Sequence, residues 1–492
     1  MLKFRILQPL FGVILLLLAG CPEASPPSPT AARDGEVRLA PDSLTMLVVD
    51  DSGFADAIER QWQAEFNGQL NLQRVSTAEM IERDFQIADN VDLVLYPHGM
   101  IGELESRRQL IEISNAVWQS EDFNKNELLP LHRSRLVRHN NKVFGVSLGG
   151  PQWMWLFDRD WLDQQATPLP ATWDLVLPWL QDRYEAGQTE IENNSPFALP
   201  LAEGWAVHVF LARVAPLIRS RGRLASVFDR STMQPLIEEV PFQIALDDLE
   251  RMMGGNLECL EFTPADVYQR VLTGKAKMGM GWPNDRFVRL PMTEAESAGE
   301  EADNPLQRPD SVDVGLSLLP GSKQWFDIPS QRWNQRPVGE SLNYDLIGVQ
   351  GSLLSVTSKS RNIDVALQLV GWLGSKTAPL KTIAGYPEFG PFRQTHLGDP
   401  VRWTGTLIGE RGGDEYAEII REVNQQDVQL LFPRIPGRHL FLAALDEQIR
   451  ACLRGEVTSE QALSNAASRW QEIIAEKGVE AMVRELRKDS GI

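Results

Sequence analysis

Short apolar runs alternate along this chain with apolar positions spaced about four apart. Leu44 to Val49 is a compact run rich in branched residues, ended by Asp50-Asp51-Ser52-Gly53, after which Phe54, Ile58, Trp62 and Phe66 recur every four residues. That order predicts a strand, a polar loop and an amphipathic helix. Gly68 stops the helix, Leu70 to Val75 gives a second strand, and Val91 to Tyr96 a third, ended by Pro97-His98-Gly99. Strands alternating with helices predict crossover units and a parallel sheet, whose ligands gather beyond the carboxyl ends of the strands. Here those ends are Asp50 to Phe54 and Pro97 to Gly99.

The run Val143 to Trp179 reads as strand, glycine hinge, aromatic strand, a short helix over Asp158 to Gln165, and a helix begun at Trp173 that Thr172 can cap. Pro178 predicts a bend or an early end. Ser195 to Leu201 is rich in turn residues, Gly204 to Leu217 is an apolar helix, and Tyr268 to Asn284 passes from helix through Gly274 into a strand over Ala276 to Met280 and a loop carrying Trp282. Met292 to Asp310 is acidic and reads as a solvated surface loop. Val314 to Pro320 is strand-like, and Gly321 to Leu342, with Trp325 and Trp333, reads as irregular. Ile347 to Leu373 runs through a glycine-rich turn and a short strand into a helix with Ile363, Ala366, Leu367, Val370 and Leu373 on one face. Near the end, Phe441, Leu445, Ile449 and Leu453 form a helical stripe, Gly455 ends it, and Thr458 with Gln461 can form a capping box.

The first forty residues have a different character. Lys3 and Arg5 precede the apolar run Ile6 to Leu18, the pattern of an export signal, and Leu18-Ala19-Gly20-Cys21 looks like a bacterial lipobox in which Cys21 would carry lipid after cleavage of residues 1–20. Residues 21–41, with Pro22, Pro26, Pro27 and Pro29, suit an extended tether. The total of 492 residues with 43 % hydrophobic content suffices for two or more cores. With 67 acidic against 48 basic residues the formal charge is −19, which repels phosphate backbones and argues against nucleic acid as a partner. Cys259 and Cys452 remain in the mature chain, either as buried small hydrophobes or as a pair.

Catalytic and metal chemistry find little support. Gly145-Val146-Ser147-Leu148-Gly149 matches G-x-S-x-G, but that motif needs a strand-to-helix turn, and an apolar aromatic run follows instead. The six histidines include no pair at metal-binding spacing and no paired cysteines accompany them, and Gly279-x-Gly281 lacks the third glycine of a dinucleotide loop. No metal or cofactor is expected. Asp50, Asp51, Glu203, Asp285 and Glu388 fall near predicted cleft loops and read as caps or solvated charges, with one or two able to accept hydrogen bonds from ligand hydroxyls. Tryptophan is the positive signal. Fourteen Trp against six Tyr suits stacking on the apolar faces of sugar rings. Trp62, Trp179, Trp372 and Trp470 fall on helix stripes and are expected in cores, whereas Trp153, Trp155, Trp205 and Trp282 belong to segments that reach a cleft. Trp153 and Trp155 share one strand face and are expected to line the cleft edge or pack inward together.

The ordered segments VFGVSLGGPQWMWLFDRDW, IGVQGSLLSVTSKSRNIDVALQLVGWL and IRACLRGEVTSEQALSNAASRWQEI resemble the two lobe crossings and the closing helices of family 1 extracellular solute-binding proteins, the maltose-binding-protein-like ligand receptors of bacterial ABC importers. The resemblance implies an α/β, two-lobed, type II periplasmic-binding fold joined by about three hinge strands. Lobe I would comprise residues 42–150 with 346–402, and lobe II residues 151–345 with 403–492. It implies a non-enzymatic lipoprotein, facing the periplasm or exterior, that binds a sugar or oligosaccharide reversibly and delivers it to a permease and ATPase. Expected ligand contacts are Asp51, Ser52, Gly53, His98, Gln152, Trp153, Trp155, Glu203, Trp205, Trp282, Asn284, Gln350, Tyr386 and Glu388. A glycan-acting hydrolase and a sensor lipoprotein reusing the receptor fold stay open as alternatives. The stretches 292–310 and 321–342 depart from the compact family pattern as insertions.

Overall fold

The computed structural model describes residues 43–119, 123–165, 167–185, 197–219, 227–288 and 312–491. The signal, Cys21, the tether and the acidic stretch 292–310 lie outside them. Along the chain come β1 (Leu44–Val49), α1 (Ala55–Phe66), β2 (Leu70–Val75), α2 (Thr77–Glu82), β3 (Leu93–Pro97), α3 (Ile101–Ser106) and β4 (Gly145–Ser147). A second set follows: β5 (Met154–Asp158), β6 (Phe197–Ala198), α4 (Ala206–Val214), α5 (Val240–Met253), α6 (Pro264–Leu272), β7 (Met278–Gly281) and β8 (Val314–Ser317). The chain then runs through β9 (Leu346–Ile347), β10 (Ser352–Val356), α7 (Ile363–Leu373), α8 (Gly409–Gln425), β11 (Leu430–Leu431), α9 (Arg438–Leu453), α10 (Ser459–Lys477) and α11 (Val479–Ser490).

Two sheets organise the two lobes. The first has the order β2-β1-β3-β10-β4, with β1 parallel to β2 and β3. It is mixed rather than wholly parallel, because β10 arrives from the other lobe and pairs antiparallel with β3 and β4. The second sheet has the order β8-β5-β7-β6, in which β5 is antiparallel to both β7 and β8. Helices α9 and α10 pack against α4 and α5 on the second lobe, and α8 packs on β8. Helix α11 returns to the first lobe and lies against α3.

The helical tryptophans serve the cores as their stripes predict. Trp62 is buried against Trp372 at 5.4 Å between ring centroids, and Trp470 is fully buried with its indole N–H donating to the Phe441 carbonyl at 2.8 Å. The Thr458–Gln461 capping box opens α10 as expected. Three local expectations change. The Thr172 side chain caps nothing; the residue bridges Gly321 instead and leads into a 3-10 turn over Trp173–Leu175. Ile363 is 41 % exposed, and Leu369 takes the inner place on α7. The stretch 321–342 is not irregular: Gln324–Asp327 and Arg332–Gln335 form an antiparallel hairpin, and its first strand also pairs with Ile218–Arg219.

Two segments cross between the lobes near β9. The segment 148–153 leads from β4 to β5, and residues 346–351 lead back into β10. They are stitched by Leu148 N–H to the Ser352 carbonyl at 2.9 Å and Ser352 N–H to the Gly149 carbonyl at 3.2 Å. Gly149 has φ +79°, and a Cβ there would lie 1.9 Å from the Gly390 carbonyl oxygen, so the third segment packed on the crossing permits glycine alone. Beside it, Arg434 and Asp489 of α11 form a buried ion pair at 2.8 Å, and Arg434 also donates to the Leu136 and Arg138 carbonyls. Cys259 and Cys452 are both buried and unpaired. Among the described residues no helix is long and apolar enough to cross a membrane.

Candidate ligand site between the lobes

His98 follows β3 and is buried against the crossings. Its Nδ1 lies 3.3 Å from the Gln350 carbonyl, which can only accept, so Nδ1 carries the proton and Nε2 accepts from the Ser147 hydroxyl at 3.0 Å. The Ser147 proton is thereby used, and His132 Nδ1 donates to the Ser147 oxygen at 2.8 Å. Burial pushes both imidazoles down to about 3, so both are neutral at pH 7, as this chain of donors requires. Ser147 is 1 % exposed, is followed by the extended crossing instead of a helix, and is flanked by imidazoles that no carboxylate orients among the described residues. That arrangement joins three segments and does not present a nucleophile.

Next to His98 lies a cavity of about 320 Å³. The first lobe contributes Thr77, Phe85, Gly99, Met100 and Glu103, the second crossing contributes Gly348 to Gly351, and the second lobe contributes His208 from α4 with Arg438 and His439 from α9. Burial, with the charge of Arg438, pushes His208 down to about 3 and leaves a neutral imidazole that can donate and accept. The Trp205 ring stands 6.2 Å from that of His208 and connects the cavity to an indole cluster.

The cluster follows from strand register. Gly281 pairs with Met154 across β7 and β5, which sets the flanking Trp282 and Trp153 side by side at 4.9 Å. Trp205, just before α4, closes the group at 6.1 Å from Trp153 and 5.6 Å from Trp282. Trp155, two residues further along the strand, belongs elsewhere. It packs on Trp173 at 5.5 Å and Phe197 at 5.1 Å inside the second lobe. Trp153 and Trp155 are each only 1 % exposed; of the two, only Trp153 joins the indole cluster, which stands behind His208 and itself lines no part of the cavity among the described residues. The Nε1 of each is buried without a hydrogen-bond partner among the described residues.

Several of the other predicted residues gather at a second meeting of the lobes. Asn284 Nδ2 donates to the Gly385 carbonyl at 3.3 Å, and the Arg286 guanidinium lies 3.5 Å above the Tyr386 ring. Tyr386 donates its hydroxyl to the Gly53 carbonyl at 3.0 Å and sits edge-on to Phe54. Asp51 is committed to its own lobe, accepting from Gly53 and Ala55 N–H at 2.9 and 3.2 Å and pairing with Arg74 at 2.7 Å. Burial pushes the Glu388 carboxyl above its usual range, a hydrogen bond from the exposed Ser52 partly offsetting it. Asp285 accepts from the Tyr268 hydroxyl at 2.8 Å and Leu407 N–H at 2.9 Å. Gln152 ties the crossings together through the Leu346 carbonyl at 3.3 Å, Gln350 serves through its carbonyl to His98, and Glu203 is exposed.

Sequence reasoning missed His208, Arg286, Arg438 and His439. The one available signal was position: His208 and Arg438 stand in the first turns of helices that begin at the lobe interface. Among the described residues no group of His, Cys, Asp or Glu is arranged to hold a metal ion.

No protein-family model matches the sequence, and no curated protein matches it. Solved structures do match. Maltose-bound MalE3 of T. maritima is 15 % identical with TM-score 0.60, over 88 % of this chain and 99 % of that one. An ABC-transporter solute-binding protein of Agrobacterium vitis S4 with bound D-mannitol is 15 % identical with TM-score 0.60, over 89 % and 99 %. The sugar-binding protein MalE of the phytopathogen Xanthomonas citri is 13 % identical with TM-score 0.62, over 89 % and 98 %. At these identities the likeness is one of fold, and the chain has the two-lobed α/β fold of the maltose-binding-protein-like solute-binding proteins.

Proposed function

We propose that the protein is the substrate-binding component of an ABC importer, holding a sugar or oligosaccharide reversibly between its lobes. The observation that carries this reading is the interlobe cavity lined by His208, behind which the Trp153–Trp205–Trp282 cluster stands, buried at Trp153 and Trp282 in this form and meeting His208 through Trp205. Indole faces take the apolar faces of sugar rings, and a neutral imidazole serves hydroxyls as donor and acceptor. Closure would bring contacts from both lobes onto the solute, so that binding shifts the hinge equilibrium. The MalE proteins and the mannitol-binding protein of like fold support a carbohydrate ligand.

In this reading the chain is exported, anchored through lipid on Cys21, and delivers its solute to a separate permease driven by an ATPase; it makes and breaks no bond. The lobes would divide as 42–150 with 346–402 and 151–345 with 403–492, except that helix α11 at the end of the second stretch docks on the first lobe. Thermal-shift screening of the protein against mono- and oligosaccharides, amino acids, polyamines and peptides tests it, since a ligand raises apparent stability by mass action. Stabilisation by a sugar, lost in Trp205→Ala, is expected. Stabilisation by an amino acid or peptide alone would overturn the sugar assignment. Mass spectrometry of membrane-extracted protein would show diacylglyceryl on Cys21, and its absence would remove the anchor.

A further inference from the structure

Among the described residues lining the cavity, Arg438 carries a buried polar atom whose chemistry the surrounding protein leaves incomplete. Its Nε is buried without a hydrogen-bond partner among the described residues, and no carboxylate there lies within ion-pair distance of its guanidinium. The two acids nearby are already engaged. Asp489 is held by Arg434 through Nε at 2.8 Å and the backbone N–H at 3.0 Å. Glu103 takes Arg107 at 2.6 Å and the Gly437 N–H at 2.6 Å, with His439 3.8 Å away. The guanidinium instead lies over the Phe432 ring at 5.5 Å and against the loop after β3, where a Cβ on Gly99 would come within 2.8 Å of Nη1. Burial pushes Arg438 down to about 10, which still leaves it charged at neutral pH. The side chain is partly exposed, so the guanidinium keeps some water, but its buried Nε–H is left without an acceptor that an entering ligand could supply.

We propose that this cavity receives the oxyanion group of an acidic sugar, with Arg438 as its counter-ion and His208 beside it as a hydroxyl partner. The inference rests on the sugar-receptor reading and narrows it from sugars in general to those carrying a carboxylate or a phosphate. A guanidinium presents parallel N–H donors that match either oxyanion with charge-assisted bonds, whereas a neutral hydroxyl offers it only an ordinary hydrogen bond.

Titration calorimetry on the full chain decides it, with glucuronate, galacturonate and glucose 6-phosphate compared with glucose, galactose and maltose. The acidic probes are expected to bind at least about tenfold tighter than the neutral ones, in line with one charge-assisted hydrogen bond. The better of the uronates and the phosphate identifies the oxyanion. Arg438→Gln should abolish that preference with little change in the melting temperature of the unliganded protein, because the guanidinium makes no ion pair or hydrogen bond among the described residues and only its contact with the Phe432 ring is lost; Arg438→Lys should keep part of the preference. The comparison on unmutated protein stands even if a variant fails to fold. Neutral sugars binding as tightly as acidic ones, or an Arg438→Gln loss equal for both, would overturn the anionic assignment and leave the sugar receptor standing. Binding of neither kind would overturn both.

Discussion

The two places where the lobes face each other are built on opposite principles. Where Asn284 and Arg286 meet Gly385 and Tyr386, most polar groups have partners within the protein and the surfaces touch. Around His98, His208 and Arg438 the lobes stand apart over about 320 Å³, with the Arg438 Nε left without a hydrogen-bond acceptor among the described residues. A satisfied contact holds a geometry, while an unsatisfied one calls for a guest. The first region therefore behaves as a latch and the second as the place where a solute completes the structure.

The strongest way to break this contrast is to damage the crossing that supports both regions. Gly149→Ala places a methyl group against the Gly390 carbonyl at a backbone conformation that disfavours it, and should cost more than about 3 kcal/mol in chemical denaturation. A change below about 1 kcal/mol would mean that Gly390 moves freely and the crossing is loose.

Next in size is Trp282→Ala, which removes an indole standing close to both regions and should lower stability by about 3–5 kcal/mol with loss of ligand binding. Trp155→Ala should cost a similar amount of stability yet leave affinity per folded molecule unchanged. Equal affinity losses in the two variants would erase the distinction between cluster and core.

Acid should weaken the cavity side through its buried imidazoles. His98 and His132 titrate near 6.5 when unfolded and at about 3 when folded, so stability is full above pH 6.5 and falls toward pH 3, by up to about 1.4 kcal/mol per pH unit for each. Asp345, pushed up to about 7 by burial, acts in the opposite sense: its contribution is full below about 4 and is lost as pH rises to 7. The net expectation is a melting temperature that drops between pH 6.5 and 4, with a shallower slope in His132→Gln. A flat profile would contradict the neutral His98–Ser147–His132 chain.

The smallest effect belongs to the latch. Arg286→Ala removes a stack at the exposed rim worth about 0.5–1 kcal/mol, and should weaken ligand binding two- to fivefold, about the same free energy, by favouring the open form. Spin-label distances across the cleft in the unliganded protein would lengthen, and unchanged distances would relieve Arg286 of that role.

How much of this was legible from sequence depends on whether the signal was local. β1 was readable to the residue because its apolar run is ended abruptly by Asp50-Asp51, β2 because its short segment stands between Gly68 and the Ser76 helix cap, and the α9 stripe because Phe441, Leu445, Ile449 and Leu453 all face the core. The hairpin in 321–342 went unread since its strands are largely exposed, with Trp333 38 % accessible, so burial imposed no alternation on them. Trp153 and Trp282 could be named as an aromatic group but not as neighbours, because their proximity is set by the register of β5 on β7. Arg438 was invisible for a stronger reason. What distinguishes it is a buried Nε with no acceptor among the described residues, and a missing acceptor is a property of the whole fold.

Helix α11 gives the hinge an additional constraint. Because it leaves α10 at Gly478, in a conformation with φ +87°, and docks on α3 and beside Arg434, the tail of the chain straps the second lobe back to the first. Any swing of the lobes must then be absorbed at Gly478 as well as at the crossings, which makes that glycine a distal pivot. A fluorophore pair spanning α10 and α11 would report the swing from the far side of the molecule, where no solute can quench it.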